Sequence, residues 1–126
     1  GDPVTMKENE IFGVSATTTA ARPYISIIYL QADGSAVELH RGHPEPDGKG
    51  VRQVMIGLSK TAQRYAVAPP FGPEMIVALA SDKPLFGDDE VINGTERQFL
   101  TRLRAKLVGQ SGDGVSAAFV RLHTSN

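Results

Sequence analysis

Cysteine and tryptophan are both absent from the 126 residues. Without cysteine there is no disulfide, no thiolate zinc site and no thiol nucleophile. The compartment stays open, because an exported chain can simply lack bridges. Aromatic residues are scarce, at 6%. They are not interleaved with basic residues along one strand, which argues against a stacking platform for single-stranded nucleic acid. An excess of one charge is also lacking. The formal net charge is −1, so no overall field draws nucleic acid or an anionic membrane. No apolar run is long enough to span a bilayer, and membrane insertion is not expected. No basic-then-apolar leader opens the chain, and Gly1-Asp2-Pro3 reads as the start of a trimmed one.

Motifs that carry chemistry are missing as well. There is no phosphate-cradling loop ending in Gly-Lys-Ser/Thr, and no G-x-S-x-G elbow: Ser111 has Gly109 two residues before it but Asp113 two after. Gly112 to Ala117 spells G-x-G-x-x-A in the wrong context. It opens a strand after a helix, whereas a dinucleotide loop follows a strand and opens a helix. His40-Arg-Gly-His43, with Glu38, Glu45 and Asp47 nearby, has ligand types suited to zinc or copper. One histidine ends a strand and the other lies in a Pro/Gly loop, so nothing holds them in a fixed geometry. His123 is remote in sequence and reads as a surface residue. Gly87-Asp-Asp-Glu90 lacks the alternating oxygen ligands of a calcium loop and reads as a solvated loop. Asn93-Gly-Thr95 spells a glycosylation sequon, but capping explains Thr95 without it. No residue is therefore assigned a catalytic, cofactor-binding or metal-ligating role, and no cofactor is expected. The chain reads as a non-enzyme. Two alternatives remain: a hydrolase whose Ser, His and acid are dispersed in sequence, and a metal module built on His40 and His43.

What is present is β-forming. Tyr24-Ile-Ser-Ile-Ile-Tyr-Leu30 is dense in β-branched and aromatic residues and apolar on both faces. Asp33-Gly34 then predicts a tight turn, with the glycine at positive φ, into a return strand over Ala36–His40. In that strand Val37 and Leu39 face inward and Glu38 outward; Asp33 serves the turn rather than a metal. Residues 10–16 form a candidate strand weakened by Gly13, and 51–58 return to β character through Val54, Met55 and Ile56. Tyr65–Ala68 is a short strand ended by Pro69-Pro70, and Pro70 with Gly72 suits a type I turn with Phe71 buried beneath the corner. Pro70 and Pro73 have the spacing of a polyproline docking motif, but a strand flanks them on each side. Glu74–Ser81 alternates, with Met75, Val77 and Leu79 on one face and Ile76, Ala78 and Ala80 on the other. Apolar residues on both faces mark an interior strand.

One helix follows. Thr95-Glu-Arg-Gln98 fits a capping box. Phe99, Leu100, Leu103 and Leu107 make one apolar stripe, Arg97, Arg102, Arg104 and Lys106 a basic outer face, and Gly109 a stop. A last strand spans Val115–Leu122, with Phe119, Val120 and Leu122 as core candidates. The fold expected is mainly β, a sandwich of about seven strands, with one amphipathic helix near the C-terminus. Residues 1–9 read as a loose tail and 10–126 as one domain.

The ordered set Tyr24–Leu30, Asp33-Gly34, Pro69-Pro70-Phe71-Gly72, Leu79-Ala80-Ser81 and Pro84-Leu85-Phe86 resembles a bacterial domain family of unknown function. That domain is often attached C-terminal to caspase-like peptidases, and sometimes to kinase or envelope-associated modules. The likeness covers roughly residues 20–88. The chain departs after the hairpin, where members tend to carry Leu, an aromatic, Pro and Asn, and Leu39 is followed here by His40-Arg41-Gly42-His43. The resemblance implies no catalytic residue or cofactor. It implies an accessory domain, covalently attached to others, that binds a protein or a small ligand.

Overall fold

The structure is a computed structural model and describes residues 2–42, 53–56, 65–108 and 114–126. Among these residues ten strands and a single helix follow in order: β1 Val4–Lys7, β2 Ile11–Phe12, β3 Val14–Thr17, β4 Tyr24–Leu30, β5 Ser35–His40, β6 Gln53–Ile56, β7 Tyr65–Ala66, β8 Gly72–Ser81, β9 Gly94–Thr95, α1 Glu96–Val108 and β10 Val115–Ser125. The mainly β fold with one helix near the C-terminus is as the residue pattern implies. Six strands make one sheet in the order β1-β10-β8-β4-β5-β9. The other four form two ribbons, β2-β7 and β3-β6.

The apolar faces of β4 and β8 explain the layering. Both are interior strands of the sheet, paired antiparallel with Tyr24 opposite Ser81 and Leu30 opposite Met75. Ile25, Ile27 and Tyr29 point to one face, where with Ile76, Val54 and Val67 they form a first core under the ribbons. Ile28, Leu30 and Leu79 point to the other, where they pack with Phe86, Ile92 and Phe99 of the helical side. The alternation read along β8 holds: Met75 and Val77 join the second core, Ile76 and Ala78 the first. Each strand thus faces two apolar layers; β4 buries every residue from Ile25 to Leu30, while β8 buries Ile76, Leu79 and Ser81 and leaves most of the others half-buried.

The hairpin forms as its residues dictate. Gly34 sits at φ +84°, and its N–H donates to the Gln31 carbonyl at 3.0 Å. The Asp33 carboxylate accepts the Ser35 N–H at 2.9 Å, closing the turn from its side chain. The capping box also forms: Gln98 N–H donates to Thr95 Oγ1 and Thr95 N–H to Gln98 Oε1, each at 3.1 Å. Gly42 lies against β4, where an added Cβ would meet the Ile25 backbone at 2.9 Å. Its N–H satisfies the buried Ser26 hydroxyl at 3.1 Å.

Five expectations are corrected. Residues 1–9 are not a loose tail: Val4–Lys7 is β1, parallel to β10 with Val4 opposite Leu122. Only Met6 of that strand is buried, so composition read it as polar. The Pro69-Pro70 corner is not closed as a type I turn: the Pro69–Pro70 bond is cis and Gly72 sits at φ +144°, and the Gly72 N–H donates to Thr124 Oγ1 at 3.1 Å rather than back to Pro69. Phe119 and Val120 are not core residues but 63% and 49% exposed, because among the described residues no layer covers that part of β10. The helical stripe is narrower than its spacing implies, since Phe99 is buried but Leu100 and Leu107 are exposed. Lys106 does not belong to an open basic face. It turns in to pair with Glu90 at 2.6 Å and lies 5.3 Å from the centre of the Phe86 ring. Gly109 and His43 lie outside the described residues. No helix among the described residues is long and apolar enough to cross a membrane.

Candidate functional site

His40 and His123 do not come together in the described structure. His40 ends β5 opposite Ile27, while His123 lies on β10 opposite Pro73 and Thr5. Two strands, β8 and β4, separate them in the sheet. Glu38 turns to Arg41 in a two-pronged ion pair, with the closer contact at 2.7 Å. Arg41 also donates to the Gly87 carbonyl. Among the described residues no three His, Asp or Glu side chains converge as a metal site would need. His43, Glu45, Asp47, Ser111 and Asp113 lie outside them.

A different set of residues does converge. Between the β2-β7 ribbon, the β4-β5 hairpin and the Pro69-Pro70 corner is a cleft of about 190 Å³. Phe12, Tyr29 and Tyr65 line it, with Val37 and Leu39 from β5 and Glu74 from the start of β8. β-pairing sets the walls: Phe12 opposes Tyr65 across the ribbon, and Val37 opposes Tyr29 across the hairpin. The Phe12 ring meets Tyr29 edge-on at 5.8 Å between centres and lies 5.9 Å from Tyr65 in a tilted stack. Both separations are within the range of favourable aromatic pairs.

Glu74 gives the cleft its charge and is held from two sides. The Tyr29 hydroxyl donates to Oε1, and the Ala32 N–H donates to Oε2 at 2.9 Å. Burial, then the hydrogen bond and charge of Glu74, push the Tyr29 phenol far above its usual value, so it stays protonated as a donor. Asp33 stands at the rim, fully exposed, and the Ser35 hydroxyl and N–H hold it below the usual carboxylate range. The cleft therefore combines an aromatic wall, two carboxylates and a frame fixed by hydrogen bonds. Apart from Asp33, whose turn signal is local, none of these residues carries a motif signal. Glu74 and Tyr29 are 45 positions apart, and only the antiparallel pairing of β4 with β8 brings them together.

A second open feature lies on the same face of the sheet. A groove of about 440 Å³ runs between β3 and β10, with Ile25, Ile76 and Ala78 among its lining residues. No family model, curated protein or solved structure matches the chain.

Proposed function

We propose that this chain is a non-catalytic interaction domain of a larger bacterial protein, and that it takes a basic side chain of a partner protein into the cleft of Phe12, Tyr29 and Tyr65. The observation that carries this reading is the Glu74 carboxylate, pre-oriented beside aromatic rings. A cation next to an aromatic wall gains from the ring quadrupole, and more so when a fixed carboxylate neutralises it. Because the Tyr29 hydroxyl and the Ala32 N–H already hold the acid, binding spends little entropy on ordering it. The likeness of residues 20–88 to a bacterial domain attached to caspase-like peptidases and envelope-associated modules supports an accessory role.

The test is a two-dimensional NMR titration with blocked peptides carrying lysine, arginine or the neutral isostere norleucine. The expected outcome is chemical-shift change centred on Phe12, Tyr65 and Glu74 with the basic peptides, weakened by salt and by Glu74→Gln. Equal shifts with norleucine, or none at these residues, would overturn the reading.

A further inference from the structure

β10 is paired unevenly. On its inner side it matches β8 without interruption from Val115 opposite Ser81 to Thr124 opposite Gly72. On its outer side β1 covers only Leu122–Ser125. Among the described residues no strand lies beside Val115–Arg121 on that side. Ser116 through Arg121 are all exposed, and Phe119 and Val120 are large apolar side chains left in water. Monomeric sheets blunt such edges with charge, proline, a bulge or a covering element. The run Ser116-Ala-Ala-Phe-Val120 has neither charge nor proline, and its register with β8 shows no bulge.

We propose that Val115–Arg121 pairs antiparallel with the same run of a second copy, so that two sheets join edge to edge across a two-fold axis. The cleft reading is independent of this one. The run fits itself. A two-fold axis perpendicular to the sheet keeps like faces together, so even-numbered residues must face even-numbered ones. Centred on Ala118, the pairing sets Phe119 against Ala117 and Val120 against Ser116, a large side chain beside a small one each time. Arg121 falls opposite Val115, so the two arginines do not meet. The two Phe119 rings stand on one face in the diagonal relation that lets aromatic side chains touch. Along Ser116–Val120 the backbone groups that point away from β8 gain ladder partners.

Sedimentation across a concentration series tests the association, and a cysteine scan tests the register. Wild type is expected to dimerise with rising concentration, and Phe119→Lys and Val120→Lys to stay monomeric with unchanged far-UV circular dichroism. Because the chain has no cysteine, Ala118→Cys provides a single thiol that faces its own copy, at a spacing compatible with a disulfide. It is expected to cross-link under mild oxidation well ahead of Thr101→Cys on the exposed face of α1. A wild type that remains monomeric at every concentration would overturn the proposal, as would a dimer indifferent to both lysine variants. Equal cross-linking of the two cysteine variants would overturn it too.

Discussion

The Tyr29 hydroxyl and the Ala32 N–H grip opposite oxygens of the Glu74 carboxylate. This ties the last turn of the β4-β5 hairpin to the first residues of β8. Removing the hydroxyl leaves a half-buried acid with one partner fewer.

Tyr29→Phe is therefore expected to cost about 1.5–3 kcal/mol at neutral pH, the range for a hydrogen bond to a charged group. The pH dependence follows from the raised phenol. The folded state keeps the Tyr29 proton where the unfolded chain, at its ordinary value of 10.0, gives it up. The contribution is thus complete below that value and declines as pH rises above it. Wild-type stability should fall more steeply than that of Tyr29→Phe from about pH 10 upward. Urea midpoints of both proteins, measured side by side across that range, check this; parallel curves would reject it.

Gly34 offers a second measurement. Its φ of +84° disfavours β-branched residues, yet nothing lies within 4 Å of where a Cβ would stand. The penalty is one of backbone conformation and not of crowding. Gly34→Val should cost about 1 kcal/mol or more, and Gly34→Asn clearly less, because asparagine tolerates the left-handed region. Equal losses in urea unfolding would mean that space, not φ, sets the requirement.

Those two sites differ in how far the sequence discloses them. Asp33-Gly34 and Thr95/Gln98 are local devices whose partners lie within a few residues, so the chain states them openly. The two faces of β8 were equally legible, because alternation survives any sheet order. The cleft was not. It depends on β4 pairing with β8 and β2 with β7, and nothing in the residues specifies which strands become neighbours. β1 escaped notice because only Met6 faces the core. Phe119 and Val120 misled in the opposite direction: apolar residues on a strand signal burial only if a layer covers them.

The Lys106–Glu90 contact supplies a third expectation. Burial raises the Glu90 carboxyl, but the Lys106 hydrogen bond, the Gly87 N–H and the charges of Lys106 and Arg102 outweigh it and hold it below its usual 4.5. A lowered carboxylate contributes stability above its unfolded value and loses it as pH falls. Lys106→Met keeps the stem over Phe86 and removes the charge. It should cost no more than about 1 kcal/mol at neutral pH, as for other partly exposed pairs. The gap from wild type should close as pH drops below about 4.5. Thermal midpoints at neutral and acidic pH separate the two contributions, and a gap independent of pH would assign the loss to packing alone.

The final expectation concerns Phe71, which proline and glycine bracket at the corner. The sequence pattern makes it a core anchor, and it does pack against the first core, but only half-buried. Phe99 is the natural comparison. It is 2% exposed, and its ring centre lies 6.2 Å from that of Phe86 in the second core. Truncating a fully buried phenylalanine removes its transfer energy and leaves a cavity, together about 3–5 kcal/mol. A half-buried ring loses less area, and water can fill part of the space it leaves. Phe71→Ala should therefore cost about 1–3 kcal/mol, and Phe99→Ala about 3–5. Against the ~5–15 kcal/mol of a whole domain, the second variant stands near the limit of folding and the first well inside it. Denaturant unfolding of the two variants ranks them. If Phe71→Ala proved as damaging as Phe99→Ala, the corner would be part of the core. If it matched wild type within about 0.5 kcal/mol, Phe71 would be a surface residue with no structural duty.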